Sequence, residues 1–388
     1  MSSVTITSVT PYFLEIERDE PYLGALRAGE EINARGYFVR GGNRTVYPST
    51  DRSVLLRIET SAGVTGWGET YGIVTPRAVL EIIRDLFATF LVGRDPRDVT
   101  SIYEDLYDLM RVRGSSGGLY HDALAAVDIA LWDICGKLAG LPVSRLLGGQ
   151  RHAELPAYVS GLPGSTQAER IAVARQWQAD GFDSFKFATP VVDDVADEFR
   201  ALREALGPSA RIAADLHWHY SAAEAINLSK AVEQYRPWFL EAPCAPEDIE
   251  GLARVTRASS VPIAAGEEWR TVYDLRERLD RCTLAIIQPE MGHTGITQFA
   301  RMGAMAGAAH VPVIPHATIG LGLFLCASLQ VAASLQGAVA HEFQHTVLAR
   351  SSRYVRGGTS VSRGMYTIPN GPGLGIEPSA DCLTLLRE

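Results

Sequence analysis

From Val4 to Ile16 apolar and polar residues alternate with the period of two that a half-buried strand requires. Arg52 to Thr60, a turn containing Gly63, and Val64 to Thr70 repeat that pattern and predict a hairpin. Between the first strand and this hairpin lies Arg18 to Thr50, rich in Gly, Arg and Glu and without a period. A loop of that length in a compact domain is either functional, often a lid, or disordered. Pro76 to Leu91 and Val99 to Met110 then carry helical apolar spacing. Strands followed by helices predict an α+β domain that ends near residue 120.

Beyond that point the pattern changes. His121 to Ala139 is a long amphipathic helix, ended by Gly140 and Pro142. Short apolar runs then alternate with helical ones. The predicted strands are Leu155–Ser160, Ser184–Ala188, Arg211–His217, Trp238–Ala242, Pro262–Glu267, Leu284–Glu290, Pro312–His316 and Val339–Phe343. Helical segments such as Gln167–Ala179, Val192–Leu206, Ser221–Tyr235 and Thr294–Ala308 separate them. Helical crossovers imply parallel pairing, and eight such strands close a (β/α) barrel. A doubly wound open sheet would want a Gly-rich fingerprint after an early strand, and none is present.

Composition narrows the class. The 388 residues are 46% hydrophobic and 21% charged, too apolar for disorder and long enough for a barrel with an attachment. A net charge of −9 without a basic run disfavours a nucleic-acid arm or an anionic-lipid patch. The five cysteines are scattered with no CxxC, as expected of a reducing cytoplasm and not of a disulfide framework or thiolate zinc site. The N-terminus has no basic and apolar signal pattern. The uncharged stretch Ile319 to Ala340 holds Gln330, Gln336 and several Ser and Gly, which makes it a core helix rather than a membrane span.

The strand ends carry the chemistry. Lys186, Asp215 with His217, Glu241, Glu267, Glu290, His316 and Glu342 follow one another at 29, 26, 26, 23, 26 and 26 residues. Each interval is one strand–loop–helix–loop unit. A parallel barrel brings all its strand C-termini to one face, so these residues should meet at one mouth. One charged residue at a strand end is ordinary rim; seven in register define a shared site. Asp215, Glu241 and Glu267 would repel one another unless a cation lay between them. An all-oxygen set without Cys suits Mg²⁺ first and Mn²⁺ second. His316 and Glu290 end neighbouring strands and can form a His–carboxylate dyad. His217 is a metal neighbour or a second acid/base, and Lys186 supplies positive charge for an anionic substrate. Trp218, His219 and Tyr220 either line the pocket or cover the barrel top. This set suits abstraction of a proton next to a carboxylate, with Lys186 and a cation stabilising the enediolate.

At these residues the sequence resembles the enolase superfamily, mandelate racemase-like subgroup. The pieces that carry the resemblance are AVDIALWDICGKLAGLPVSRLLGG (126–149), the Asp215/Glu241/Glu267 progression, IIQPE (286–290), VIPH (313–316) and IPNGPGLGIE (368–377). The resemblance implies a modified TIM barrel, (β/α)7β, at 121–350, an N-terminal α+β capping domain at 1–120 with a specificity loop at about 18–50, and a segment at 351–388 returning to the cap. It implies Mg²⁺ on Asp215, Glu241 and Glu267, His316 as acid/base paired with Glu290, Glu342 near the substrate carboxylate, and a homo-oligomer.

Departures from the subgroup narrow the reaction. FKFAT keeps Lys186 but has Ala188 where a second lysine is common, which counts against a two-base racemase using that lysine. DLH at 215–217 resembles the galactonate and mannonate dehydratases, which implies His217 as a base. Glu290 stands where Asp is usual, and Ala242 replaces the second Glu of a common EEP. The expected function is Mg²⁺-dependent dehydration of an aldonate or aldarate to a 2-keto-3-deoxy acid. The alternatives are an epimerase, racemase or lactone cycloisomerase of the same subgroup, and a non-catalytic barrel that binds sugar acids.

Overall fold

The structure is a computed structural model, and it describes residues 4–317 and 320–388. The N-terminal part is a three-stranded antiparallel sheet ordered Ile6–Ile16, Asp51–Thr60, Thr65–Tyr71. The long helix Gly118–Ala139 packs on it. Leu56 and Ile58 of the sheet share a buried cluster with Ala126, Ala130 and Ile134 of the helix. The two backbones approach so closely that a Cβ at Gly68 would collide with the Ala126 carbonyl. The same helix contacts the barrel: Asp128 accepts a hydrogen bond from the Thr297 amide at 2.8 Å.

The helical stretch after Thr75 runs as Pro76–Glu81 and Ala88–Leu91 around a π-helical turn, Ile82–Phe87. The periodless loop holds a small hairpin, Tyr37–Val39 against Val46–Pro48.

The second part is the parallel barrel. Its strands are Glu154–Ser160, Ser184–Ala188, Arg211–Asp215, Leu240–Glu241, Ile263–Ala265, Ile286–Ile287, a seventh position at Val313, and His341–Phe343. Each pairs with the next in parallel, and His341–Phe343 pairs with Ala157–Val159 to close the ring. The seventh predicted strand, Pro312–His316, reduces to isolated bridges at Val313 and His316. Pro312 and Pro315 lack the N–H that a ladder needs, so pairing survives only between and beside them. Prolines at 237, 243, 262 and 289 flank the other short strands in the same way. Tyr158, Ala213, Phe239, Ala264, Ile286, Ile314 and Ala340 fill the barrel interior, one from each strand but the second.

The C-terminal segment touches both parts. Met365–Thr367 pairs antiparallel with the start of the first barrel strand, and Arg387 exchanges two backbone hydrogen bonds with Phe13 of the first cap strand. No described helix is long and apolar enough to cross a membrane.

Candidate active site

The strand ends open into one cavity of about 550 Å³, and the loop from Arg18 to Tyr47 covers its mouth. Lys186, Asp215, His217, Trp218, Glu267, His316 and Glu342 all line it. Glu241 and Glu290 lie just beneath, fully buried.

Lys186 is the hub of one side. Its Nζ lies 2.7 Å from Glu241 Oε2 and 3.0 Å from Glu342 Oε1. Burial works against its charge, but these two carboxylates hold it well above the usual lysine range. They divide unequally. Burial opposes ionisation of Glu342 too, yet Lys186, His316 and the Ala317 amide at 2.9 Å hold it down at about 2. Among the described residues, Glu241 has only Lys186 and Gln288 Nε2, both on Oε2. Burial pushes its carboxyl up to about 8, and Asp215, Glu267 and Glu342 add to that despite Lys186.

His316 is the hub of the other side. Its Nδ1 lies 2.7 Å from Glu290 Oε2, and its Nε2 lies 2.8 Å from Glu267 and 3.6 Å from Glu342. Burial disfavours the imidazolium, but the surrounding carboxylates raise it well above the ordinary histidine range. Glu290 is lowered in turn: burial opposes this, and His316 outweighs it. Its other oxygen accepts the Gly292 amide at 2.9 Å, so the dyad acid is anchored from both ends. The extra methylene of Glu290 is accommodated in this way.

His217 and Trp218 both sit in the left-handed region, at φ +47° and +52°. Two consecutive non-glycine residues there are costly and imply that the surroundings enforce the turn. Asp215 does so, with Oδ1 accepting the His217 amide at 2.9 Å and lying 3.1 Å from its Nδ1. Burial alone would lower the His217 imidazole, but Asp215 raises it to about 9, and His217 holds Asp215 below the usual carboxylate range.

Among the described residues, ligand-type atoms of Glu241, Glu267 and His316 lie within 4.8 Å of one another, and Asp215, the third predicted acid, lines the same cavity. Asp215 is held by His217. The left-handed turn also splits the WHY run. Trp218 stays in the main cavity, whereas His219 and Tyr220 line a separate hollow with Arg27 and Asp193.

The residues present fit a hard cation. Glu241 Oε1 is buried with no hydrogen-bond partner among the described residues, in a cluster with more carboxylates than cations.

Several lining residues escaped the sequence reading. His293 Nδ1 lies 2.7 Å from Asp122 of the cap helix, stacks on Tyr71 at 4.0 Å, and faces Arg270 at 3.4 Å. Glu268, beside Glu267, is pushed by burial up to about 7. Glu268 and Arg270 follow the fifth strand's acid, and His293 follows the dyad acid, so the loops after strand ends were the available signal. The cavity arginines are Arg18, Arg270 and Arg350; Arg35 and Arg44 do not line it, and Arg27 lines only the separate hollow.

Comparison with known proteins agrees with this architecture. Residues 169–382 match the family described as Enolase C-terminal domain-like, and residues 44–148 match the Mandelate racemase / muconate lactonizing enzyme, N-terminal domain. The chain belongs to the enolase superfamily, in its mandelate racemase-like subgroup. It is 34% identical over 350 residues to a D-galactonate dehydratase of Ralstonia nicotianae, covering 86% of this chain and 90% of that one. It is 32% identical over 348 residues to the D-galactarolactone cycloisomerase of Agrobacterium fabrum, covering 86% and 91%. A solved structure from Sinorhizobium meliloti superposes with a TM-score of 0.98 at 58% identity, covering 99% of each chain.

Proposed function

We propose that this chain is an acid-sugar dehydratase that uses a divalent cation, Mg²⁺ before Mn²⁺. The observation that carries the reading is the meeting of two imidazoles, Lys186 and the strand-end carboxylates in one cavity at the C-terminal end of a barrel. Relatedness to D-galactonate dehydratases supports a sugar acid as substrate and dehydration as the reaction.

The α-proton of a carboxylate is very weakly acidic, so its removal needs positive charge beside the carboxylate. Asp215, Glu241 and Glu267 would hold the cation, which supplies that charge when bound. Lys186 adds to it and stabilises the enediolate. With Asp215 engaged in holding the cation, the His217 imidazole would take the C2 proton. His316, held as imidazolium by Glu290, gives its proton to the departing C3 hydroxyl. The enol product tautomerises to a 2-keto-3-deoxy acid. Trp218 lines the same cavity.

A screen of mono- and diacid sugars with Mg²⁺, read as semicarbazide-reactive 2-keto acid, tests the reaction. In His316→Asn, keto-acid formation should vanish while solvent deuterium still enters C2. Loss of both would refute the division of labour between the two histidines. The relative that is a lactone cycloisomerase favours a second reading, in which C2 exchanges and no keto acid forms in the wild type. Binding of a sugar acid with neither exchange nor product would identify a non-catalytic barrel.

A further inference from the structure

The three cavity arginines differ in how fully their charge is matched. Arg270 has an acid that no second guanidinium shares: Nη1 donates to the Glu268 carbonyl at 2.5 Å, Nη2 lies 3.5 Å from Asp122, which also meets His293 Nδ1 at 2.7 Å, and Nε is buried without a hydrogen-bond partner among the described residues. There one guanidinium faces one carboxylate.

Arg18 and Arg350 are different. Both pair with the same acid: Arg18 Nη1 lies 2.5 Å from Asp51 Oδ1, and Arg350 Nε lies 2.8 Å from Asp51 Oδ2. The Tyr22 hydroxyl donates to Oδ1 as well, at 2.9 Å. Both oxygens of Asp51 are therefore used, and two guanidinium groups against one carboxylate leave one positive charge over. Arg350 Nη2 is buried and has no hydrogen-bond partner among the described residues. Glu20, also on the cavity wall, is exposed to water and makes no ion pair among the described residues. A buried N–H of a cation without an acceptor is costly and marks a place for an anion.

The place in the fold adds to this. Arg18 and Asp51 are the two ends of the covering loop, and Arg350 belongs to the helix His345–Ser351 after the eighth barrel strand. Lys186 and the acid cluster line the same cavity as this pair. A ligand with one carboxylate beside Lys186 and a second at its far end would satisfy both.

We propose that Arg18 and Arg350 bind the distal carboxylate of a diacid sugar, so that the substrate class is the aldarates rather than the aldonates. This rests on the acid-sugar reading given above. Because the two arginines meet at the base of the loop, the distal carboxylate also ties the closed loop to the barrel.

The test is calorimetric binding to the full-length protein with Mg²⁺ supplied, using six-carbon aldarates each paired with the aldonate of the same configuration, galactarate and galactonate among them. The paired acids differ only in the far carboxylate. Wild type should bind one aldarate at least 10-fold more tightly than its aldonate. Arg350→Gln should weaken that aldarate by about 30-fold, as expected for a charge-assisted bidentate contact, and leave the aldonate within about 2-fold. Arg350→Lys should restore part of the preference, and Arg18→Gln should act in the same sense as Arg350→Gln. Equal binding of the two acids by wild type would overturn the proposal. So would an equal loss of both in the variants, which is what mere support of the loop would produce. Binding of neither acid in any pair would overturn the acid-sugar reading itself.

Discussion

Two fully buried glutamates, one in the cap and one in the barrel, show how burial of charge can mean opposite things. Glu69, on the cap strand Thr65–Tyr71, accepts from Ser53 Oγ at 2.6 Å and from the backbone amides of Leu321, Gly322, Leu323 and Phe324. It caps the helix Leu323–Ser334, so one carboxylate satisfies a helix N-terminus and fastens cap to barrel. Glu241 is equally buried, but both of its partners crowd one oxygen and the other has none among the described residues. A satisfied buried charge is architecture; one left half-satisfied among other acids is a site awaiting a partner.

The largest effect should come from Glu241→Gln. Stability in denaturant should stay within about 1 kcal/mol of wild type, because a repelled carboxyl is removed. Turnover should fall by about 10³-fold or more, as for loss of a transition-state charge stabiliser. Mg²⁺ should raise the Tm of wild type and leave that of the variant unchanged. An unchanged response in both would break the contrast. Glu69→Ala should do the reverse. It strands four buried amides and should cost about 4 kcal/mol in urea unfolding, with the remaining folded protein still responding to Mg²⁺.

Acid should sharpen the comparison further. His341, bonded to Ser328 Oγ at 2.8 Å, and His121 in the cap helix are each lowered by burial to about 4. Both are neutral in the folded chain. Below the ordinary histidine value near 6.5 the unfolded chain binds protons that the folded one does not. Their contribution is therefore complete above about pH 6.5 and falls as the pH drops toward 4, by at most about 3 kcal/mol each. His341→Gln should flatten the dependence of the urea midpoint between pH 7 and 4.5; an unaltered slope would contradict the assignment.

The smallest effect should come from the covering loop. Arg40 is fully buried there, donating to the carbonyls of Tyr22, Gly24 and Ala25 and pairing with Glu30 at 2.6 Å. Arg40→Met should cost about 2 kcal/mol locally and speed proteolysis within residues 18–50, with little change in the global unfolding midpoint.

The barrel was legible because parallel strands impose a repeat. Strand-end polar residues recur nearly every 26 positions, and Ser184–Ala188 has the predicted bounds. The dyad of Glu290 and His316 was legible for the same reason: adjacent strand ends must be neighbours. Strand lengths were overread where prolines interrupt the ladder, since apolar runs continue past the last paired residue. The hairpin at Tyr37–Pro48 was missed because its strands are three residues each, too short to display a period. Glu69 and the Arg18–Asp51–Arg350 cluster were invisible because their partners lie as many as 299 residues apart and obey no repeat. His219 and Tyr220 could not be separated from Trp218, because only a left-handed turn moves neighbours to different surfaces.

By itself, then, the sequence determined the succession of strands and helices, the barrel, and which side chains crown its mouth, because periodicity and the shared polarity of parallel strands are local rules. Only the tertiary structure decided how those charges are apportioned. Lys186 serves two acids, His316 gathers three, Asp215 turns to His217, and one guanidinium at the loop base is left over. The reason is electrostatic: the state of a buried charge depends on distances to every other charge around it, and those distances exist only once the chain has closed.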